Sequence, residues 1–250
     1  MRASSLAAPL VLLMVASCTS SPPPQQTAKG LPSPTIISGP SAGVRACSTA
    51  TGPFHPGEPS LAVDPKNPRL LVATWQQLGS PVGLGNLVSV SRDGGSHWAA
   101  TTLPGLTSCS GGNYASATDP WVSIGPDHTV YVASLVTRPP ALKVTTHDII
   151  VSVSKDGGLT WQPPVVVESQ PGPAIVPDKE AILADLRRPG SAYLVWAEYG
   201  RTGSSDPSVD QIFFSRTSDG GATWSPPGPI YSGNDEAQQN QWLMNANGTR

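Results

Sequence analysis

Three acidic positions are the first candidates for chemistry. Glu58, Asp119, and then Asp178 or Glu180, each open a short apolar run: Glu58-Pro59-Ser60-Leu61-Ala62-Val63, Asp119-Pro120-Trp121-Val122-Ser123-Ile124, and Glu180 to Ala184. Carboxylates brought together from such segments can hold a cation, accept hydrogen bonds from sugar hydroxyls, or act as a general acid and base. The same acids could instead bond the backbone N–H groups of neighbouring segments, and both readings stay open. Other chemistries lack a pattern. The four histidines (55, 97, 128 and 147) have no metal-ligand spacing, and no Gly-rich loop precedes a helix. Asp127 and Asp156 sit in turn sequences, where calcium is possible but not signalled. No cofactor is expected.

The elements that must position these acids are written three times. Ser91-Arg92-Asp93-Gly94-Gly95-Ser96-His97-Trp98 returns as Ser154-Lys155-Asp156-Gly157-Gly158-Leu159-Thr160-Trp161 and as Thr217-Ser218-Asp219-Gly220-Gly221-Ala222-Thr223-Trp224. The aspartates fall at 93, 156 and 219, two steps of 63 residues. A fixed period of this size marks a repeat architecture. Each copy follows a β-type run: Leu87 to Val90, Ile149 to Val153, and Ile212 to Phe214. Asp before two glycines makes a tight turn, because its carboxylate accepts backbone N–H bonds while glycine takes positive φ. The following Trp offers a large apolar face to the sheet. Asp93, Gly95, Trp98, Asp156, Gly158, Trp161, Asp219, Gly221 and Trp224 therefore read as a hairpin staple, structural rather than catalytic.

Laid over one another, the units predict four antiparallel strands each. In the first, these are Glu58 to Val63, Leu70 to Trp75, Leu87 to Ser91, and Trp98 to Leu103. The second and third units repeat the order, with fourth strands from Trp161 and Trp224 onward. The chain reads as all-β, with no convincing helical period. Gln241-Trp242-Leu243-Met244 and Asn247-Gly248 mimic the opening of the second unit, which makes three units and the start of a fourth. Either the reading frame is truncated, or another chain completes the array.

The turn Ser-x-Asp-x-Gly-x-Thr-Trp resembles the Asp-box of sialidases and of the wider class of Asp-box (BNR-repeat) β-propellers, with His97 in the first copy where Thr160 and Thr223 stand in the others. The resemblance covers about residues 55 to 250 and implies a β-propeller of four-stranded antiparallel blades, here about three blades and incomplete. It implies the Asp-boxes on one rim and a ligand site on the opposite, loop-rich rim, where Glu58, Asp119, Asp178 and Glu180 would ring the mouth of a central channel. Sialidases bind the substrate carboxylate with an arginine triad, whose guanidinium forks match it, and use a Tyr nucleophile paired with Glu. The weak candidates here are Glu198, Tyr199, Arg201 and Arg138. The Arg-Ile-Pro motif usual in the first blade is missing, since the region reads Gly52-Pro53-Phe54-His55-Pro56-Gly57.

The remaining chain sets the compartment. Arg2 precedes an apolar run from Leu6 to Ala16, too short for a spanning helix and suited to a signal peptide. Val15-Ala16-Ser17-Cys18 resembles a bacterial lipobox, which implies lipidation at Cys18; an ordinary secretory signal is the alternative. Residues 1–18 are thus a lipoprotein signal peptide, 19–45 a Ser/Pro-rich tether, and 46–250 the partial propeller. With 25 glycines, 28 prolines, 13% charged residues and a net charge of −2, the chain favours turns and gives no basic surplus for nucleic acid. Outside the cytoplasm, Cys47 and Cys109 either form a disulfide, contributing about 2–4 kcal/mol, or stay as two buried thiols.

Two functions follow from the resemblance. One is a surface-anchored, non-catalytic, sialidase-like propeller that binds glycan or a surface protein. The other is an exo-sialidase-type glycoside hydrolase acting on terminal sugars at the loop-rich rim.

Overall fold

A four-stranded sheet must bury its apolar face against another layer, and this chain stacks three such sheets on one another. The structure is a computed structural model that describes residues 36–37, 51–80, 85–138, 146–170, 175–200 and 211–232, all within the unit Ile36–Arg250. Cys18, Cys47, Arg201, the signal segment and residues 241–250 lie outside the described residues. The first sheet holds β1 (Thr51–Val63), β2 (Leu71–Ser80), β3 (Gly85–Ser91) and β4 (Ala99–Thr102). The second holds β5 (Ser116–Ile124), β6 (Val130–Thr137), β7 (His147–Ser154) and β8 (Val165–Ser169). The third holds β9 (Ile175–Ala184), β10 (Ala192–Gly200), β11 (Gln211–Thr217) and β12 (Gly228–Ser232). Each is an antiparallel meander in chain order. The first strands are neighbours, β1 packing on β5 and β5 on β9. Among the described residues there is no α-helix, only a 3-10 turn at Ser108–Ser110.

The strands run further than the sequence pattern marks. β2 extends to Ser80, past the Trp75 at which the expected second strand ends, and β10 runs to Gly200. The fourth strands differ in the opposite sense. β4 starts directly after Trp98, but β8 and β12 start only at Val165 and Gly228. Pro163-Pro164 and Pro226-Pro227 supply no N–H to a ladder, so pairing resumes beyond them.

The period-2 alternation of the second sheet sorts its side chains between two neighbours. Val130, Val132 and Val136 face the first sheet, with Leu70, Val72, Val88 and Ile150. Tyr131, Ala133 and Leu135 face the third, with Ile182, Ala184, Leu194 and Trp196. β6 and β7 are therefore buried on both sides and read as nearly continuous apolar runs. The outer face of the first sheet is partly covered by the chain itself. Ile37, within the segment read as a tether, packs with Trp75, Leu87 and Cys109. Cys109 is disulfide-bonded, and its partner lies outside the described residues.

The three copied turns share one hydrogen-bond scheme. The hydroxyl of Ser91, Ser154 or Thr217 donates to the turn carboxylate at 2.7–2.9 Å. The same oxygen accepts from Gly95, Gly158 or Gly221 N–H at 2.8–3.0 Å. In the second and third turns, the N–H and hydroxyl of Thr160 and Thr223 donate to the two carboxylate oxygens at 2.9–3.0 and 2.6 Å. His97 reproduces this with its N–H at 2.9 Å and its ring Nδ1 at 2.6 Å, so the irregular copy is not broken. Trp161 and Trp224 then pack on the layers between their own sheet and the preceding one. The glycines make that approach possible. A Cβ on Gly158 would lie 2.7 Å from Val90, and one on Gly221 2.7 Å from Val153. Arg92 and Lys155 complete the join by donating to carbonyls of the next sheet's turn, at Asp156 and Gly157 and at Gly220.

These bonds lower the turn carboxyls below the ordinary range. At Asp93 the largest cause is the His97 N–H, and at Asp219, lowered to about 2, it is the Thr223 hydroxyl. At Asp156 burial pushes upward, and the bonds from Thr160, Ser154 and Leu159 together outweigh it. A depressed carboxyl stabilises the fold above its unfolded value, about 3.9, and the contribution disappears as pH falls through the folded value. Asp156→Ala is expected to cost about 1–2 kcal/mol at pH 7, read by urea denaturation with an unchanged m-value. The difference from wild type should shrink as pH drops from 4 towards 2, and a constant difference would show that the carboxylate charge is not what the turn uses.

Candidate functional site

The first strand of every sheet carries the same defect. The pairing of β1 with β2 skips between Gly57 and Ser60, and that of β5 with β6 between Thr118 and Trp121. In β9 the skip lies between Asp178 and Ala181. In each case two residues oppose one: Glu58-Pro59 opposite Trp75, Asp119-Pro120 opposite Ser134, and Lys179-Glu180 opposite Trp196. This is a β-bulge. Its first residue is left-handed, with φ of 50° at Glu58, 50° at Asp119 and 58° at Lys179. A non-glycine residue there costs on the order of 1–2 kcal/mol, and the chain accepts that cost at the equivalent position three times. The first residue of each defect stands five residues before the turn-side end of its strand (Val63, Ile124 and Ala184), near mid-strand in the first and third sheets.

The register corrects the expected ring of acids. The third equivalent of Glu58 and Asp119 is Lys179, not Asp178 or Glu180. Asp178 accepts the Lys179 N–H at 2.8 Å, and the ammonium stands 3.6 Å from the same oxygen. Glu58 is exposed, and Asp119 and Lys179 are half-buried. Asp119 has only a long bond from the Thr118 hydroxyl, 3.4 Å, and its N–H donates to Gln76 Oε1 at 3.4 Å.

Glu180 occupies the second bulge position, where the other sheets have proline. It shares a strand face with Ile182 and Ala184, which pack on the second sheet. It is only 2% exposed, and neither carboxyl oxygen makes a hydrogen bond of normal geometry. Burial drives its pKa well above the usual value, and the N–H groups of Glu180 itself and of Leu135 oppose this weakly.

A polar network at the same end of the second and third sheets was not legible as a motif. Glu168 lies opposite Ile149 in β8, on the face that meets the third sheet. Gln170 Nε2 donates to Glu168 at 3.3 Å. Glu198, on β10, accepts from the Trp196 indole at 3.1 Å. The first sheet has the neutral counterpart, Trp75 donating to Gln77 at 3.3 Å. Burial raises the carboxyl of Glu198, with the Trp196 and Gln170 side chains pulling it back. Burial and then the Glu198 charge raise that of Glu168. Two carboxyls, with the Gln170 amide bonded to the first, thus share the layer between the second and third sheets.

The resemblance-based candidates separate. Glu198 and Tyr199 are consecutive in β10 and point to opposite faces of the sheet, so they do not form one site. Arg138 donates from Nε to Asp148 at 2.7 Å and from an Nη to Ser169 at 2.7 Å, on the side toward the first sheet. Asp148 is fully buried, and its charge, after burial, raises the nearby Tyr114 hydroxyl. Asp148 was missed by motif reading, though pairing β6 with β7 sets it opposite Val136, two residues from Arg138.

No protein-family model matches the chain, and no curated protein does. Solved structures do. An α-L-arabinanase of Penicillium chrysogenum, complexed with arabinobiose, superposes with a TM-score of 0.51 at 18% identity over 72% of this chain and 50% of that one. A Hadza microbial sialidase gives 0.47 at 15% identity, over 72% and 38%. An α-L-arabinofuranosidase of Fusarium graminearum, in complex with an iminosugar inhibitor, gives 0.46 at 14%, over 72% and 50%. At these identities the likeness is one of fold: three antiparallel four-stranded sheets of the β-propeller type. The chain spans half or less of the length of these three structures.

The unpartnered carboxyl predicts a pH dependence opposite in sign to that of the turns. A carboxyl raised above its unfolded value, about 4.3, costs stability as pH climbs through that value and beyond. Glu180→Gln should therefore melt close to wild type at pH 4 and several degrees higher at pH 8. Calorimetric scans at both values test this, and parallel profiles would mean the buried carboxylate is neutralised by other means.

Proposed function

We propose that this chain is part of an extracytoplasmic, lipid-anchored propeller that binds glycan at the face carrying the left-handed bulges. The observation that carries the reading is the recurrence of the bulge. Three neighbouring first strands each hold a charged side chain in a strained backbone conformation, at Glu58, Asp119 and Lys179. Strain kept at one structural position in successive repeats, with bulges that re-aim side chains, is a feature of ligand sites. The likeness in fold to an arabinanase that holds arabinobiose supports a sugar as the ligand. The anchor at Cys18 and a Cys47–Cys109 disulfide belong to the same reading and suit an oxidising compartment.

A second reading, hydrolysis, is favoured by one observation. Glu168 and Glu198 are raised carboxyls in one layer, the type of pair that glycoside hydrolysis uses. Binding without turnover is the better supported of the two, because Glu198 is committed to Trp196 and Arg138 to Asp148.

The test screens the full chain on an array of immobilised glycans, beside the Glu58→Gln/Asp119→Asn double variant. Asn tolerates the left-handed conformation, so the variant should fold. Binding is expected to fall at least about tenfold at an unchanged melting temperature. A folded double variant that binds like wild type would remove the bulges from the site. Turnover of fluorogenic arabinosides or sialosides, lost in Glu168→Gln, would replace binding with the hydrolase reading.

A further inference from the structure

We infer that the bulge-bearing face takes an uncharged, hydroxyl-rich glycan and discriminates against sugars carrying a carboxylate; this rests on the glycan-binding reading above. The argument is one of charge. Capturing an anionic sugar needs a cation that is not already spoken for, typically a guanidinium fork. Two cations are described on this side of the sheets, and both face carboxylates of their own. Arg138 holds Asp148 at 2.7 Å, and Lys179 stands 3.6 Å from Asp178. Against them stand Glu58 and Asp119, which have no cationic partner among the described residues.

The opposite rim differs. Lys66, Arg69, Arg92, Lys155, Arg187 and Arg188 all lie in or beside the turns there. The chain thus has cations in supply and places few of them where a substrate carboxylate would need them.

The acids suit the alternative ligand. An ionised carboxylate accepts hydrogen bonds at both oxygens and can take two neighbouring hydroxyls of one sugar ring. Glu180 adds an independent sign of an unfilled polar requirement. It is 2% exposed, points into the layer between the second and third sheets that also holds Glu168 and Glu198, and makes no hydrogen bond of normal geometry at either oxygen. In the other two sheets the same position is a proline, so this carboxyl is a departure from the repeat.

The experiment is calorimetric titration of the full chain with arabinobiose, lactose and 3′-sialyllactose, each at low and high salt. The expected result is that at least one neutral sugar binds ten or more times tighter than 3′-sialyllactose, and that the gap narrows with salt, because only the anion is repelled. Asp119→Asn should weaken the neutral sugar while narrowing the same gap. If 3′-sialyllactose binds as tightly as the neutral sugars or tighter, this inference fails and glycan binding stands. If the folded chain binds none of these sugars, nor any glycan of the array, both fail.

Discussion

Everything in this structure depends on sheets being buried against sheets. A four-stranded meander has two faces and can cover neither by itself. The second sheet solves this completely, with alternate residues of β6 committed to opposite neighbours. The copied turns make the stacking close enough to matter. Their glycines sit where a side chain would strike Val90 or Val153 of the preceding sheet, and their tryptophans fill the layer beside them. Arg92 and Lys155 hold successive turns together through backbone carbonyls, a contact that does not depend on which side chains the next turn carries. One eight-residue segment thus closes a hairpin, spaces two sheets and ties their ends.

The two ends of the strands are built on different terms. At the turn end, polar groups are satisfied: each carboxylate has several donors, and depressed pKa values record the result. Away from the turns, the first strands are bulged and left-handed, Glu180 is buried with no hydrogen bond of normal geometry, and the Glu198 charge adds to the cost of ionising Glu168. Raised carboxyls and strained backbone on one side, lowered carboxyls and regular turns on the other, separate the part of the repeat whose polar groups are satisfied from the part where they are not. Strain of this kind persists only where surrounding structure over-determines it. Here the inter-sheet layers beside the bulges supply that constraint.

Much of the architecture was legible in the residues. The 63-residue step, the β-branched runs and the Asp-Gly-Gly turns predicted all-β units of four strands, and local chemistry explains why, since turn conformation and strand period are properties of a few adjacent residues. Even the irregular His97 could be placed by position alone. What the residues did not show was which way side chains near the bulges point. A bulge inserts one residue, and one residue moves every following side chain to the other face. That is why Lys179 rather than Asp178 or Glu180 matches Glu58 and Asp119, and why Glu180 turns inward.

The network at the loop end was illegible for a different reason. Arg138 with Asp148, and Glu168 with Glu198, meet across hairpins and between sheets, so their proximity is a product of register and stacking rather than of spacing. Glu198 and Tyr199, adjacent in the chain, are parted by the pleat that brings Glu198 toward Glu168. Sequence by itself determined the repeat, its turns and its strands, because these rest on short-range conformational preference. Tertiary structure alone decided which acids gather, which cations are already paired and which carboxyl is left without a partner, because those depend on where one sheet sits on the next.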